Sequence, residues 1–414
     1  MIHRVQDGRF DDNLFWPSSS EDSQQGEGEG KRMNRRDFLK LSGEGMFLLG
    51  GMSLLNACGG LKRDDLPQSN GEKESLKGLD KDEMAILYLA SLAPSGHNTQ
   101  PWVVRILEPN HWVIGSDKKR WLPAVDPENR ELLLAIGAFI ENLVLAAGTF
   151  GYEVDIQITA NSPFDPDIAE IRLKKGKTAD FPLEKIRKRR TVRSGYTDQE
   201  IKAEDLKYIT KHDATSCRVA NVHLPHSVYF PNNSLQGKSL QEGTIAANRA
   251  QAFRDPAQEE LASWIRWSNK DARQYRNGLT SESMEIRGFA GWYVRNFYNR
   301  KSVLKKSFRE QTVDIVSKQV KTCGGWLVVT SAGSNIPTLI DYGRVFGNML
   351  LRIRERMIGI HPMTQMLEEA PWKDKVAKEL GLGGEVQWIL RIGYLKSYPD
   401  PVSLRRPVSW FLQT

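Results

Sequence analysis

Ala93-Pro94-Ser95-Gly96-His97-Asn98-Thr99-Gln100-Pro101-Trp102 is the stretch on which the fold turns. Before it, Met84, Leu87, Tyr88 and Leu92 recur at helical spacing, and Pro94 and Gly96 end that pattern. After it, Trp102-Val103-Val104-Arg105-Ile106-Leu107 and Trp112-Val113-Ile114-Gly115 predict a hairpin around Glu108-Pro109-Asn110. The turn is dense in side-chain amides and hydroxyls. Amides offer donors and an acceptor together, which suits the edge of a heteroaromatic ring with alternating carbonyl and N–H groups. An ordinary polar turn is the alternative.

Further along, residues 131–150 predict a long helix that is apolar around most of its circumference and therefore buried. Strands follow at 154–158 and 168–173. A basic helix begins a second unit near Phe181, and the same grammar then returns: a strand at 326–330, a long helix at 338–357, a strand at 387–394. The two helices share a detail. Gly137 is followed at Asn142 by three apolar residues, and Gly343 is followed at Asn348 by three more. Related halves explain this, and so does the general likeness of amphipathic helices. Residues 241–299, rich in Arg and Trp, are expected to form an insertion or lid.

Two basic clusters accompany the turn. Arg187-Lys188-Arg189-Arg190-Thr191-Val192-Arg193-Ser194 offers planar guanidinium groups beside a hydroxyl, a match for the oxygens of a phosphate monoester. Leu404-Arg405-Arg406-Pro407 is a second candidate partner. A solvated helix face and a surface arginine pair are the plain alternatives.

Together these segments resemble the nitroreductase family of FMN-binding flavoproteins. Residues 94–102 are similar to its Pro-Ser-x-x-Asn-x-Gln-Pro-Trp motif, Arg189-Arg190-Thr191-Val192-Arg193 to its Arg-Arg-Ser-x-Arg, and Arg405-Arg406-Pro407 to its C-terminal basic segment. In ordinary members the arginine motif comes first; here the order is reversed. That reversal resembles the Acg branch, in which one chain imitates the family's dimer, as do Asp126-Pro127-Glu128-Asn129-Arg130-Glu131, Asn277-Gly278-Leu279 and Gly359-Ile360-His361-Pro362-Met363-Thr364-Gln365. The resemblance covers nearly everything from Asp80 to Leu412. It implies an α+β, nitroreductase-like fold of two fused halves, 80–178 and 179–414, with mixed sheets flanked by helices around long core helices.

For the site, the resemblance implies FMN. Arg189, Arg190, Thr191 and Arg193 would hold its phosphate and ribityl end, with Arg406 closing the phosphate site. Asn98 and Gln100 would face the pyrimidine side of the ring, and Pro94 and Ser95 would shape the pocket. The loop at His361 would approach the reactive nitrogen, although the family's usual Gly-Leu-Gly type sequence is missing there; a satisfied turn histidine is the alternative. The expected function is an oxidoreductase passing electrons from reduced FMN to a nitroaromatic or quinone-like acceptor. Flavin storage without turnover is the alternative from a different class.

The N-terminal region carries an address. Asn34-Arg35-Arg36-Asp37-Phe38-Leu39-Lys40, a short apolar run and Leu55-Asn56-Ala57-Cys58 have the order of an export signal. Arg35 and Arg36 resemble the twin-arginine signal, which carries folded proteins, and Cys58 the lipidated cysteine of a bacterial lipobox. Cleavage near Ala57 without lipidation is the alternative. Residues 1–32 are expected to be an unstructured or non-native extension ahead of a start at Met33, and 59–79 a flexible tether. The expected location is the periplasm or the outer side of the cytoplasmic membrane, with membrane contact only through the lipid on Cys58 and the export machinery as a partner.

The remaining composition is bland. The 414 residues, 40% hydrophobic and 26% charged, describe a globular chain. A net charge of +7 with dispersed basic residues gives no reason to expect nucleic acid. The histidines lack metal-ligand spacing. Cys217 and Cys323 could pair, but independent buried thiols are the expectation. Because the halves already imitate a dimer, a monomer is expected.

Overall fold

The computed structural model describes residues 59–66, 79–211 and 226–413. The export signal with Arg35, Arg36 and Cys58, the expected extension 1–32, most of the tether, and Cys217 lie outside them. Helix α1 (Lys81–Ala90) is fixed at its start by a reciprocal cap between Asp80 and Glu83. Strands β1 (Trp102–Glu108) and β2 (His111–Ser116) form the expected hairpin, and helix α2 (Arg130–Thr149) leads to β3 (Tyr152–Ile158) and β4 (Asp167–Lys175).

Next come α3 (Glu184–Lys188), α4 (Ala203–Ile209) and β5 (His226–Pro231). A run of helices follows: α5 (Leu235–Phe253), α6 (Asp255–Trp264), α7 (Asn269–Tyr275), α8 (Gly288–Phe297), α9 (Arg300–Val303) and α10 (Lys306–Lys321). The chain closes through β6 (Gly325–Ser331), α11 (Ile336–Arg352), β7 (Ile358–Pro362), α12 (Gln365–Glu368), α13 (Trp372–Glu379), β8 (Glu385–Tyr394) and β9 (Leu412–Gln413).

The strand orders are β3-β4-β2-β1-β9 and β5-β6-β8-β7. Setting β9 aside, one order is the other with β1, β2, β3 and β4 replaced by β5, β6, β7 and β8, and all six pairings are antiparallel. The two sheets therefore repeat one motif, with α2 and α11 in equivalent places. These two helices pack face to face inside a single core, joined at Gly137 and Gly343. By length and composition α2 could cross a membrane, but most of its side chains are buried here. The pair also buries an ion pair, Arg344 Nε to Glu141 Oε2 at 3.1 Å, and Asn348 donates to the other carboxylate oxygen at 2.9 Å.

Several expectations change. His361 lies in a strand rather than a loop, because Ile358 and Ile360 alternate into the core while the backbone pairs with β8. The second long helix ends at Arg352, and Met357 adopts φ 53° just before β7. The helical insertion fills the whole interval between β5 and β6, so the expected boundary at Gln241 falls inside α5, which packs Leu240 and Ala247 against Trp326 and Val328. Residues 59–66 are docked, with Leu61 and Leu66 packed against Ala272 and Leu404. Strand β9, unforeseen, returns the C-terminal chain to the first sheet beside β1, in parallel.

Candidate functional site

The turn after α1 is the most distorted backbone in the site. His97, Asn98 and Gln100 have φ of 47°, 53° and 53°, the left-handed region that side chains avoid. Such conformations persist where surrounding bonds over-determine them, and they concentrate at functional sites. Here the bonds are explicit. Asn98 donates through Nδ2 to the carbonyls of Gly278 and Leu404 at 3.1 and 3.2 Å and accepts from Arg405 at 2.9 Å. Gln100 donates to the Arg276 carbonyl at 3.0 Å and accepts from the Arg406 N–H at 2.9 Å. Ser95 Oγ accepts from the Gln100 N–H, and Pro94 is half-buried beside it. Both amides thus clamp the 276–278 and 404–406 segments to the turn.

Arg189 and Arg405 meet at one atom. Arg189 donates to the Leu92 carbonyl from Nε and Nη2 at 3.1 and 3.0 Å, and Arg405 Nη2 donates to the same oxygen at 3.2 Å. Neither has a carboxylate partner among the described residues. Burial lowers the Arg189 guanidinium to about 10 and drives that of Arg405 well below its ordinary value; nearby Arg63 pushes both in the same direction, and Arg189 adds to the effect on Arg405. The two buried guanidiniums share this neutral acceptor, and Arg405 also donates to the Ala93 and Leu404 carbonyls at 3.1 and 2.8 Å.

The other arginines divide. Arg190 is spent on Glu285, Nη2 to Oε1 at 2.9 Å with both side chains nearly inaccessible. Arg406 donates to the carbonyls of Gln100 and Trp102 at 2.5 and 2.9 Å, which makes it a tie for the C-terminal segment. Thr191 is half-buried. Arg193 is different: its N–H donates to Glu285 at 3.2 Å, but among the described residues no hydrogen bond or ion pair holds its guanidinium.

Arg193 reaches two histidines. Burial first, and then its charge, lower His97 to about 4; the same causes, with Arg391 added, lower His361 far below its ordinary value. Both imidazoles are therefore neutral. His361 faces Arg391 across the β7–β8 ladder, and its Nδ1 is buried without a partner. Arg391 lies over the Tyr196 ring at 4.3 Å and donates to the Arg193 carbonyl at 2.7 Å.

On the other side of the turn, Glu131 is raised to about 7 by burial and by Glu368, whose carboxylate accepts from Thr364 at 2.6 Å. A Cβ on Gly96 would stand 3.6 Å from Glu131 Oε2, so this carboxyl borders the turn. A separate cavity of about 800 Å³, lined by Arg130, Asn161, Asn335, Leu367 and Glu385 among others, shares no residue with these clusters.

Of the residues the sequence grouped, Asn98 and Gln100 form the turn and Arg189 bonds the Leu92 carbonyl just before it, whereas Arg190 goes to Glu285 and His361 sits opposite Arg391 in the second sheet. The sequence did not separate Arg405, which stands with Arg189, from Arg406, which does not. Arg63, Glu285, Arg391 and the neutral His97 went unnoticed as site groups; the only signal for Arg405 was its place in a basic pair.

Fold and site define a two-sheet α+β protein in which buried guanidiniums gather at the turn after α1. No family model matches the chain. It is 29% identical over 340 residues to two proteins named as NAD(P)H nitroreductases, Rv3131 and MT3217 of Mycobacterium tuberculosis strains H37Rv and CDC 1551, a match covering 77% of this chain and 86% of each of theirs. That likeness supports placement in the nitroreductase superfamily. Solved structures with detectable similarity include a nitroreductase-like protein of Bacillus cereus (16% identity, TM-score 0.32, covering 58% of this chain and 98% of the other). Another is the FMN- and NADPH-dependent nitroreductase NfnB, as a Y88A mutant, from a Sphigopyxis strain (15%, 0.30, 53% and 92%).

Proposed function

We propose that the chain is an FMN-dependent oxidoreductase of the nitroreductase type, exported from the cytoplasm, whose acceptor is a nitroaromatic or quinone-like molecule. The observation that carries this is the convergence of Arg189 and Arg405 on the Leu92 carbonyl without a carboxylate. A phosphate monoester supplies the missing charge, and guanidinium is the group that meets its oxygens in pairs. The residues thus fit FMN by the chemistry of the donor set.

In this reading Arg189 and Arg405 hold the phosphate and Thr191 lies beside it. Arg193 keeps an unspent positive charge next to His97 and His361, which stay neutral and so add none. Asn98 and Gln100 hold the turn in its left-handed form and reach the pyrimidine side only at the expense of a protein bond. When bound, FMN supplies reversible two-electron chemistry, and the protein contributes position and electrostatics. Glu131 is placed to keep a proton near the turn at neutral pH. The Acg branch, a single FMN and a monomeric state belong to the same proposal, as do twin-arginine export and lipidation at Cys58, which rest on the sequence of 33–58.

Storage of flavin without turnover is the second reading, favoured by the way the 276–285 segment lies on the turn through Asn98 and Gln100 and on Arg190 through Glu285. One experiment addresses both. The purified chain is incubated with FMN, its visible spectrum recorded, and reduction by dithionite, NADH and menadiol followed. We expect a yellow complex reduced by at least one biological donor, and at least about tenfold weaker FMN binding in Arg189→Ala and Arg405→Ala variants. A chain that never takes up FMN defeats both readings; bound flavin that only dithionite reduces selects storage.

A further inference from the structure

Helix α8 turns aromatic side chains to the solvent. Phe289, Tyr293 and Phe297 are 58%, 41% and 57% exposed, and their spacing of four places them along one face. They do not stand singly: Phe289 stacks on Trp292 at 5.3 Å between centroids, Trp292 meets Phe297 edge-on at 5.6 Å, and Tyr293 stacks on Phe297 at 4.8 Å. A contiguous exposed patch of this kind marks a surface that is covered in use.

The charge around it is of one sign. Residues 287–307 contain six basic side chains, Arg287, Arg295, Arg300, Lys301, Lys305 and Lys306, and no acidic one. All but Arg295 are exposed. Arg295 is held by Glu282 at 2.5 Å. Aromatic rings set in a basic border are the composition of helices that lie in the interface of an anionic bilayer.

The chain's own geometry points the same way. Gly59 follows the cysteine proposed to carry lipid, and its carbonyl accepts from Asn269 Nδ2 at 3.3 Å, while Asn269 Oδ1 accepts from the Leu61 N–H at 3.3 Å. Gly60 lies so close to Glu282 that a Cβ there would stand 1.9 Å from its Oε1. Glu282 is the partner of Arg295 on α8. The residues that emerge from Cys58 are therefore seated on the body beside the aromatic helix, so an anchor and α8 would meet one surface.

We infer that α8, with its aromatic face and the basic residues that follow it, docks on an anionic lipid bilayer and holds the body against the membrane independently of any lipid on Cys58. Aromatic rings entering the headgroup region contribute apolar transfer, and basic residues near an anionic surface add electrostatic attraction.

The test uses the full chain carrying Cys58→Ser, which cannot be lipidated, so failure of the lipidation proposal leaves it untouched. Flotation with phosphatidylglycerol-containing vesicles is compared with phosphatidylcholine vesicles, and a Phe289→Ser/Tyr293→Ser/Phe297→Ser variant and a Lys301→Glu/Lys305→Glu variant are run alongside. We expect binding to the anionic vesicles only, weakened about tenfold or more by either variant and reduced by salt. The charge variant alters exposed side chains alone and keeps the test valid if the aromatic variant misfolds. Absence of binding by the parent, or binding that neither variant changes, overturns the inference. So does a dimer that the aromatic variant dissociates, which would make a second copy the occupant.

Discussion

Gly137 and Gly343 rest on each other's helices in a reciprocal way. A Cβ on Gly137 would stand 2.1 Å from the Ile340 carbonyl oxygen, and one on Gly343 would stand 2.1 Å from that of Leu134. Each glycine thus sits on the residue three before its counterpart, which is a two-fold relation within one chain. Backbones this close leave room for hydrogen only. Gly137→Ala and Gly343→Ala are expected to destabilise the protein by about 1–3 kcal/mol or more, seen as a lower urea midpoint. Gly148→Ala, near the end of the same helix and facing only the Ala179 side chain at 3.3 Å, should change it by less than about 1 kcal/mol.

Asn98 carries the turn. Asn98→Ala removes three hydrogen bonds, leaves Arg405 without its side-chain acceptor and keeps a left-handed φ that alanine resists. The expected loss is about 2–4 kcal/mol in urea unfolding. Limited proteolysis should then cut near 276–278 sooner than in the parent, and an unchanged pattern would show that this segment is held elsewhere.

Stability should depend on pH through Glu131. Its carboxyl, ordinarily near 4.5, is held to about 7 in the folded chain. Between those values the folded state keeps a proton that the unfolded state has lost, so this contribution falls as pH rises and is fully present below 4.5. Asp126, raised to about 6, acts in the same sense; His97, lowered to about 4 from 6.5, acts in the opposite one, its contribution lost as pH falls through that window. The difference between parent and Glu131→Gln isolates the effect. The variant should gain roughly 1–3 kcal/mol relative to the parent from pH 4.5 to 8. A constant difference would contradict the assignment.

Cys323 is a free thiol, buried, and pushed up by that burial to about 11. It should resist alkylation in the native protein and react fully in denaturant. Peptide mapping after iodoacetamide treatment distinguishes it from Cys217; a native disulfide to Cys217 would show as a linked peptide.

Much of the fold was written in local periodicity. The hairpin Trp102–Ser116 and the buried helix Arg130–Thr149 follow from alternation and from an all-round apolar pattern, and the Gly–Asn echo between 137–142 and 343–348 marked the two helices that meet. What stayed hidden depends on partners far along the chain. The resemblance implied a loop at His361, yet pairing with Arg391 on β8 makes it a strand. Strand β9 is two residues long and has no pattern of its own; the open edge of β1 creates it.

The sequence by itself determined which chemistry was available: amides in one turn, guanidiniums in two clusters, and a repeat of strands and helices. These are properties of residue type and spacing, and they need no neighbours to be read. Only the tertiary structure decided how that chemistry is spent. Arg189 and Arg405 converge on the Leu92 carbonyl without a carboxylate among the described residues, Arg190 is paired with Glu285, and Arg406 ties the C-terminal segment to the Gln100 and Trp102 carbonyls. The physical reason is that a guanidinium's role depends on the acceptors within about 3 Å of it, and those come from segments that only folding brings together.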